Sequence, residues 1–262
     1  MIISSLEKTT KSIIFNPLVL LPMLIAVIVA RVSTNFTSFV LERPLAEMLI
    51  YYETFMTSDF FYIVLNRYSF EIAVMLISMF IVLFITILGF IALVNFAKGE
   101  KIFDSINNSY SNFGKAFFLT FFALLVLFLS FISLAIIQLI FNFLYSILPE
   151  SINGILAIIV LPIILLVIFS IYLTKLGFVL PAIDGNNIRE AVKASWEFTN
   201  DKFINAFLYI IITLIISAII IIVLTNIGLL LDMSFIFEAI SDIIGMTFFG
   251  LGISYYYFNK WE

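Results

Sequence analysis

The segment Pro181–Phe203, PAIDGNNIREAVKASWEFTNDKF, is the longest polar interval between two long apolar runs of the chain. Asp184-Gly185-Asn186 is turn chemistry. Asn187 fits a helix N-cap, and Glu190, three residues on, can reach back to it. Ile188, Ala191, Val192 and Ser195 then recur at the i, i+3, i+4, i+7 spacing of one helical face, while Arg189, Glu190, Lys193 and Glu197 fall elsewhere. Ala191 and Ser195 form a small-xxx-small pair that lets another backbone approach closely. The segment therefore predicts a short amphipathic helix at a membrane surface, connecting two spans. A ligand-contacting element is the alternative role.

The rest of the composition agrees. Of the 262 residues, 63% are hydrophobic and 11% charged, with mean hydropathy +1.21; a soluble domain carries about 25% charged residues. Several apolar runs reach the 18 or more residues that cross a bilayer as a helix. Barrel-type alternation is absent, so the predicted class is all-α and polytopic. There is no cysteine and no histidine, which removes the thiol nucleophile, the commonest metal ligand and the usual general base. We expect no catalytic residue, no cofactor and no metal. A net charge of −4 spread over short loops argues against nucleic acid.

Six spans are expected: about 13–30, 72–97, 116–148, 152–179, 203–231 and 236–258. Residues 1–12 are expected to form a short surface helix. The first span carries Pro17 and Pro22, and is read as a retained helix rather than a cleaved signal sequence. Residues 31–70 form the longest loop, in which Leu45, Met48, Leu49, Tyr52, Phe55 and Met56 suggest an amphipathic helix on the membrane, or else a re-entrant hairpin. Asn35-Phe36-Thr37 is a glycosylation sequon by pattern only. The third run, at 33 residues, would be about 50 Å long, so it must tilt or project beyond the ~30 Å hydrocarbon core. Pro162 is expected to kink the fourth span. Tyr255, Tyr256, Tyr257, Phe258 and Trp261 suit the headgroup layer.

Six spans put both termini on one side. Lys8, Lys11, Lys98, Lys101, Lys115, Lys175, Arg189, Lys193, Lys202 and Lys260 fall on that side, against Arg31, Arg43 and Arg67 on the other. Ten against three places the termini in the cytoplasm of a cell bounded by this membrane. A shift of 86 residues lays Gly99–Phe122 over Gly185–Leu208 without a gap, matching Gly99/Gly185, Ile102/Ile188, Ser109/Ser195, Phe117/Phe203 and Phe121/Phe207. Ser105 and Ser109 repeat the small-xxx-small pair. Both copies run in the same sense, so the chain reads as one transmembrane domain, 1–262. It holds a parallel pseudo-two-fold repeat (about 72–148 and 152–231), and helices 13–30 and 236–258 flank the pair.

Pro181, then Ala191, Ser195, Trp196 and Phe203, with Asn16-Pro17 and Pro22 earlier, form a pattern that resembles a broad group of prokaryotic and archaeal membrane proteins. The group includes the membrane domain beside some glycerophosphoryl diester phosphodiesterases. The resemblance implies a six-helix fold and little about mechanism. With no soluble catalytic domain expected here, the phosphodiesterase activity is not carried over. Asp184-Gly185-x-x-Ile188-Arg189 is similar to the start of the lipid alcohol phosphotransferase motif. The places those enzymes give to a glycine and two metal-binding aspartates, however, hold Phe198, Lys202 and Ala206.

Glu238 and Asp242, near the outer end of the sixth span, are expected to be an exposed rim. Gly245, Gly250 and Gly252 suggest close packing there. The leading expectation is a non-enzymatic membrane protein: a scaffold, an accessory subunit or an organiser of lipid. Membrane lipids and other membrane proteins would be its partners. The alternative is a transporter or channel for a lipid-like or small neutral substrate. A lipid-modifying enzyme is a third reading, disfavoured by the missing His, Cys and clustered carboxylates.

Overall fold

The computed structural model describes residues 2–50, 67–147, 161–183, 187–200 and 202–259. The described residues are helical, without strands. Among the described residues, five helices are long and apolar enough to cross a membrane: Pro17–Glu42, Ser69–Ala97, Phe113–Ser130, Phe203–Leu230 and Ser234–Phe258.

The N-terminal helix α1 (Ile2–Phe15) stops at Asn16-Pro17, because the residue before a proline is pushed out of the helical region. A 3-10 turn, Pro17–Leu20, leads into α2 (Leu21–Ile50). Pro22 lies in the first turn of α2, where its missing N–H removes no helical bond. The two prolines therefore separate a short helix from a long one. Both lie at the start of the candidate span Pro17–Glu42, in keeping with the expected first span.

The expected loop from residue 31 is corrected: α2 continues through Arg31 and Asn35 to Ile50. The apolar run ends at Ala30, but the helix has no reason to end with it, since Arg31 finds carboxylates on a neighbouring helix. The sequon Asn35-Phe36-Thr37 thus lies on a helix. Residues 51–66, which carry the rest of the expected surface helix, lie outside the described residues.

Helix α3 (Ser69–Ala97) closes with a Schellman motif. Gly99 takes φ +100, its N–H donates to Phe96 O, and the Glu100 N–H donates to Asn95 O. Helix α4 (Ile102–Ser111) follows, then α5 (Phe113–Ile147), 35 residues without a break. Phe80 and Phe84 of α3 pack edge-on or tilted against Phe113, Phe117 and Phe121 of α5, with centroids 4.7–6.5 Å apart. Helix α6 (Leu161–Leu176) is the described part of the expected fourth span, and its start beside Pro162 lies at the edge of the described residues. A turn at Gly177 leads to α7 (Val179–Ala182), then α8 (Ile188–Asn200), α9 (Phe203–Leu230) and α10 (Ser234–Phe258). A second Schellman motif joins α9 to α10, with Asp232 at φ +56 where glycine is usual.

Helix α10, expected to flank a pair of repeats, is the most enclosed of the candidate spans. It packs on α9, α3, α2 and α1. Its glycines make this possible: a Cβ on Gly250 would fall 2.6 Å from the Phe90 ring, and one on Gly252 would fall 2.8 Å from Thr213 Cγ2. Tyr256 stacks on Tyr209 with centroids 4.0 Å apart, and the Tyr209 hydroxyl donates to Gly252 O at 2.8 Å. Tyr256 is therefore interior, a correction to its expected place in the headgroup layer. Helix α1 is fastened to the far end of α10: Lys8 Nζ donates to Asn259 Oδ1, the Asn259 amide donates to Ser5 Oγ, and the hydroxyls of Ser12 and Tyr255 share a bond, all at 2.7–2.8 Å.

Candidate functional site

The short helices α1, α4, α7 and α8 gather at one end of the long ones. Lys98, at the end of α3, lies over the Phe258 ring, and Phe198 of α8 shares a core cluster with Tyr256 and with Ile2 and Leu6 of α1. The basic residues Lys8, Lys11, Lys98, Lys101, Lys175, Lys193 and Lys202 thus share an end. Arg31 sits toward the other end, with Glu238 and Asp242. At this basic end Glu7 accepts a bond from Lys11 at 2.6 Å, and that bond and the ammonium charge hold its carboxyl below the usual range.

Helix α8 forms as its sequence dictates. The Asn187 side chain accepts from Glu190 N–H at 3.0 Å, and Glu190 Oε2 accepts from Asn187 N–H at 3.3 Å, a reciprocal capping box. Ala191, Ser195, Phe198 and Thr199 are buried, while Lys193 and Glu197 pair in the open at 3.7 Å. On α4, Ser105 and Ser109 are buried in the same way. Asp184, Gly185 and Asn186 lie outside the described residues.

The matched serines do different things. The Ser109 hydroxyl donates one turn back, to Ile106 O at 2.7 Å. The Ser105 hydroxyl is enclosed with no partner among the described residues. The Ser195 hydroxyl crosses to α6 and donates to Lys175 O at 2.7 Å. Ser195 therefore ties two helices together, at the carbonyl-rich C-terminus of α6. The hydroxyl proton of Ser195 is thereby directed at a backbone carbonyl.

Lys175 is buried to 8% exposure, and its ammonium lies 4.8 Å from the Trp196 ring centre and 5.9 Å from that of Phe203. Long bonds run to Trp196 O and Asn200 Oδ1. Trp196 is half exposed and Phe203 partly so, while Pro181 and Ala191 are buried. Of the residues singled out in the expected second repeat copy, Ser195, Trp196 and Phe203 thus meet at Lys175, which sequence reading had counted only as a surface charge. Twenty positions separate Ser195 from Lys175, and no periodicity carries that contact.

At the opposite end, sequence reading missed a second cluster. Arg31 Nη2 donates to Asp242 Oδ2 at 2.9 Å, Nη1 is 3.6 Å from Glu238, and the guanidinium lies over Phe235 at 5.2 Å. Glu238 and Asp242 are four apart on one face of α10, and that spacing was the available signal. The expected free rim is a half-buried ion pair joining α2 to α10.

Two clefts flank α3. One, of about 390 Å³, lies between Leu83–Phe90 of α3, Leu119–Leu127 of α5, and Leu176, Val179 and Leu180 of α6 and α7. Its one hydroxyl, on Thr86, donates to Val82 O at 2.7 Å, which leaves the walls apolar. The other, of about 440 Å³, lies between α2 and α3 and carries Ser33, Thr34, Thr37, Ser38 and Ser78. Leu83 lines both. Both volumes fall within the range of about 300–1,000 Å³ typical of small-molecule sites. No group of three or more carboxylates among the described residues could hold a metal ion. Comparison with protein-family models, with curated proteins and with solved structures finds no match to this chain.

Proposed function

We propose that this is a non-enzymatic protein of the cytoplasmic membrane that holds lipid between its two halves and organises the membrane around it. The observation that carries this reading is the apolar cleft between α3, α5 and the α6–α7 junction, which lies where the expected repeats 72–148 and 152–231 meet. Its walls offer dispersion contacts and no free polar group, which suits an acyl chain and poorly suits a hydrated solute. Ser195 and Ser109 support it too, since their hydroxyls are engaged by backbone carbonyls.

The proposed topology has six spans, and Leu161–Leu176 is the described part of the fourth. Both termini face the cytoplasm. The grouping of lysines at the end where α1 meets Asn259 supports that orientation.

The second reading is a transporter for a lipid-like substrate. It is favoured by the meeting of the apolar and hydroxyl-lined clefts at Leu83, which would offer a tail and a headgroup consecutive surroundings. Reconstitution separates the two. Vesicles carrying a fluorescent phospholipid in both leaflets are treated with a membrane-impermeant quencher. A holder leaves the inner-leaflet signal intact, as in protein-free vesicles; progressive loss of that signal would replace the first reading with the second.

A further inference from the structure

The apolar cleft has a length, an end and a charge. Its α5 wall runs from Leu119 to Leu127, eight positions or ~12 Å of helix. That is close to one leaflet, half of the ~30 Å hydrocarbon core. The wall therefore matches one acyl chain lying in the leaflet at the basic end of the molecule. Leu119, Phe122 and Val126 line it at positions i+4, i+7 and i+11 counted from Lys115. Lys115 thus continues the same helical face one turn beyond the cleft, toward the α5 N-terminus.

Side chains on a helix lean toward its N-terminus, so the ammonium projects away from the apolar wall and into the headgroup layer. Lys115 is half-buried and has no ion-pair partner among the described residues. The first turn of α5 adds the positive end of a helix dipole at the same level. An apolar slot one leaflet deep, with a cation at its mouth, is complementary to one kind of occupant. We propose that the cleft is a binding site for an anionic phospholipid, with an acyl chain along Leu119–Leu127 and the headgroup phosphate at Lys115. This rests on the lipid-holding reading and narrows it to a headgroup class.

The test is lipid retention by the full-length protein, purified in uncharged detergent and read by native mass spectrometry. It is offered equal amounts of phosphatidylglycerol and phosphatidylcholine of the same chain length. The parent retains phosphatidylglycerol in preference. Lys115→Gln reduces that preference about fivefold, the worth of one lysine at an anionic surface, and leaves phosphatidylcholine unchanged. Ala123→Phe, which fills the slot, lowers retention of both lipids while Lys115 stays in place. An excess of soluble glycerol phosphate displaces neither.

A parent that retains both lipids equally, or a preference indifferent to Lys115→Gln, overturns the headgroup assignment and leaves the lipid-holding reading standing. Retention unaffected by Ala123→Phe places the lipid elsewhere and overturns the site. Displacement by glycerol phosphate makes it a site for the free phosphate and overturns the lipid. No retention of either lipid overturns both the inference and the reading beneath it. Melting temperatures of both variants within a few degrees of the parent show that the changes are not due to unfolding.

Discussion

The serines of α4 and α8 allow three otherwise identical truncations to be ranked. Ser195→Ala removes a buried donor that ties α8 to the Lys175 carbonyl on α6. A net hydrogen bond is worth about 0.5–1.5 kcal/mol, and a carbonyl left without its partner raises the loss to about 1–3 kcal/mol. Ser109→Ala removes only a bond within its own helix, to Ile106 O, and the loss should be a few tenths of a kcal/mol. Ser105→Ala removes an enclosed hydroxyl with no partner among the described residues, so it should be neutral or stabilising. Ser195→Phe forces a ring into a site of 0% exposure and should cost about 1–3 kcal/mol beyond the lost bond. Lys193→Ala, on the exposed side, should change almost nothing. Thermal melts of the detergent-solubilised protein, at about 2–4 °C per kcal/mol for a chain of this size, resolve the order. The reasoning is refuted if Ser195→Ala melts with the parent while Ser105→Ala or Ser109→Ala falls by several degrees.

Arg31→Gln leaves Asp242 and Glu238 facing each other half-buried, and should cost about 1–3 kcal/mol; adding Asp242→Asn should recover part of it, and a double-mutant cycle with no coupling would show the pair to be incidental. Asp232→Gly should raise the melting temperature by up to about 1 kcal/mol equivalent, and Asp232→Val lower it by about 1–2, because φ is +56 there; equal melts would contradict that geometry. Gly252→Ala should cost about 1–3 kcal/mol, since its methyl would sit 2.8 Å from Thr213 Cγ2, and an unchanged melt would mean that α9 and α10 are not so closely packed. Reporter fusions after Lys101 and Lys193 should read cytoplasmic and one at Glu47 external; a cytoplasmic signal at Glu47 would reverse the topology.

Features governed by local periodicity were legible in the sequence, and features governed by distant partners were not. The face of α8 that buries Ala191 and Ser195, and its Asn187–Glu190 cap, follow from spacing within one helix. The stop at Gly99 follows from a single residue able to take positive φ. The end of α2 was misjudged because an apolar run and a helix are different objects: Arg31 breaks the first and, paired with Asp242, extends the second. Tyr256 was misplaced because an aromatic residue near a span end reads as interfacial, while its stacking on Tyr209 depends on a residue 47 positions away. The Lys175 cluster and the apolar cleft each combine three or four helices, and no stretch of sequence contains them.

The enclosure of α10 also sets a timetable. Helix α10 leaves the ribosome after every helix it packs among, and the bond between Ser12 and Tyr255 joins residues 243 positions apart. At about 5–20 residues per second, α1 waits roughly 12 to 50 s for its partner. From its own synthesis until the end of that interval, each of Phe90, Tyr209 and Thr213 lacks the glycine face that covers it in the finished protein. The order of manufacture is thus the reverse of the order of enclosure. A chain interrupted before Ser234 carries an open seam along its middle, a mark by which membrane quality control can tell an unfinished copy from a complete one.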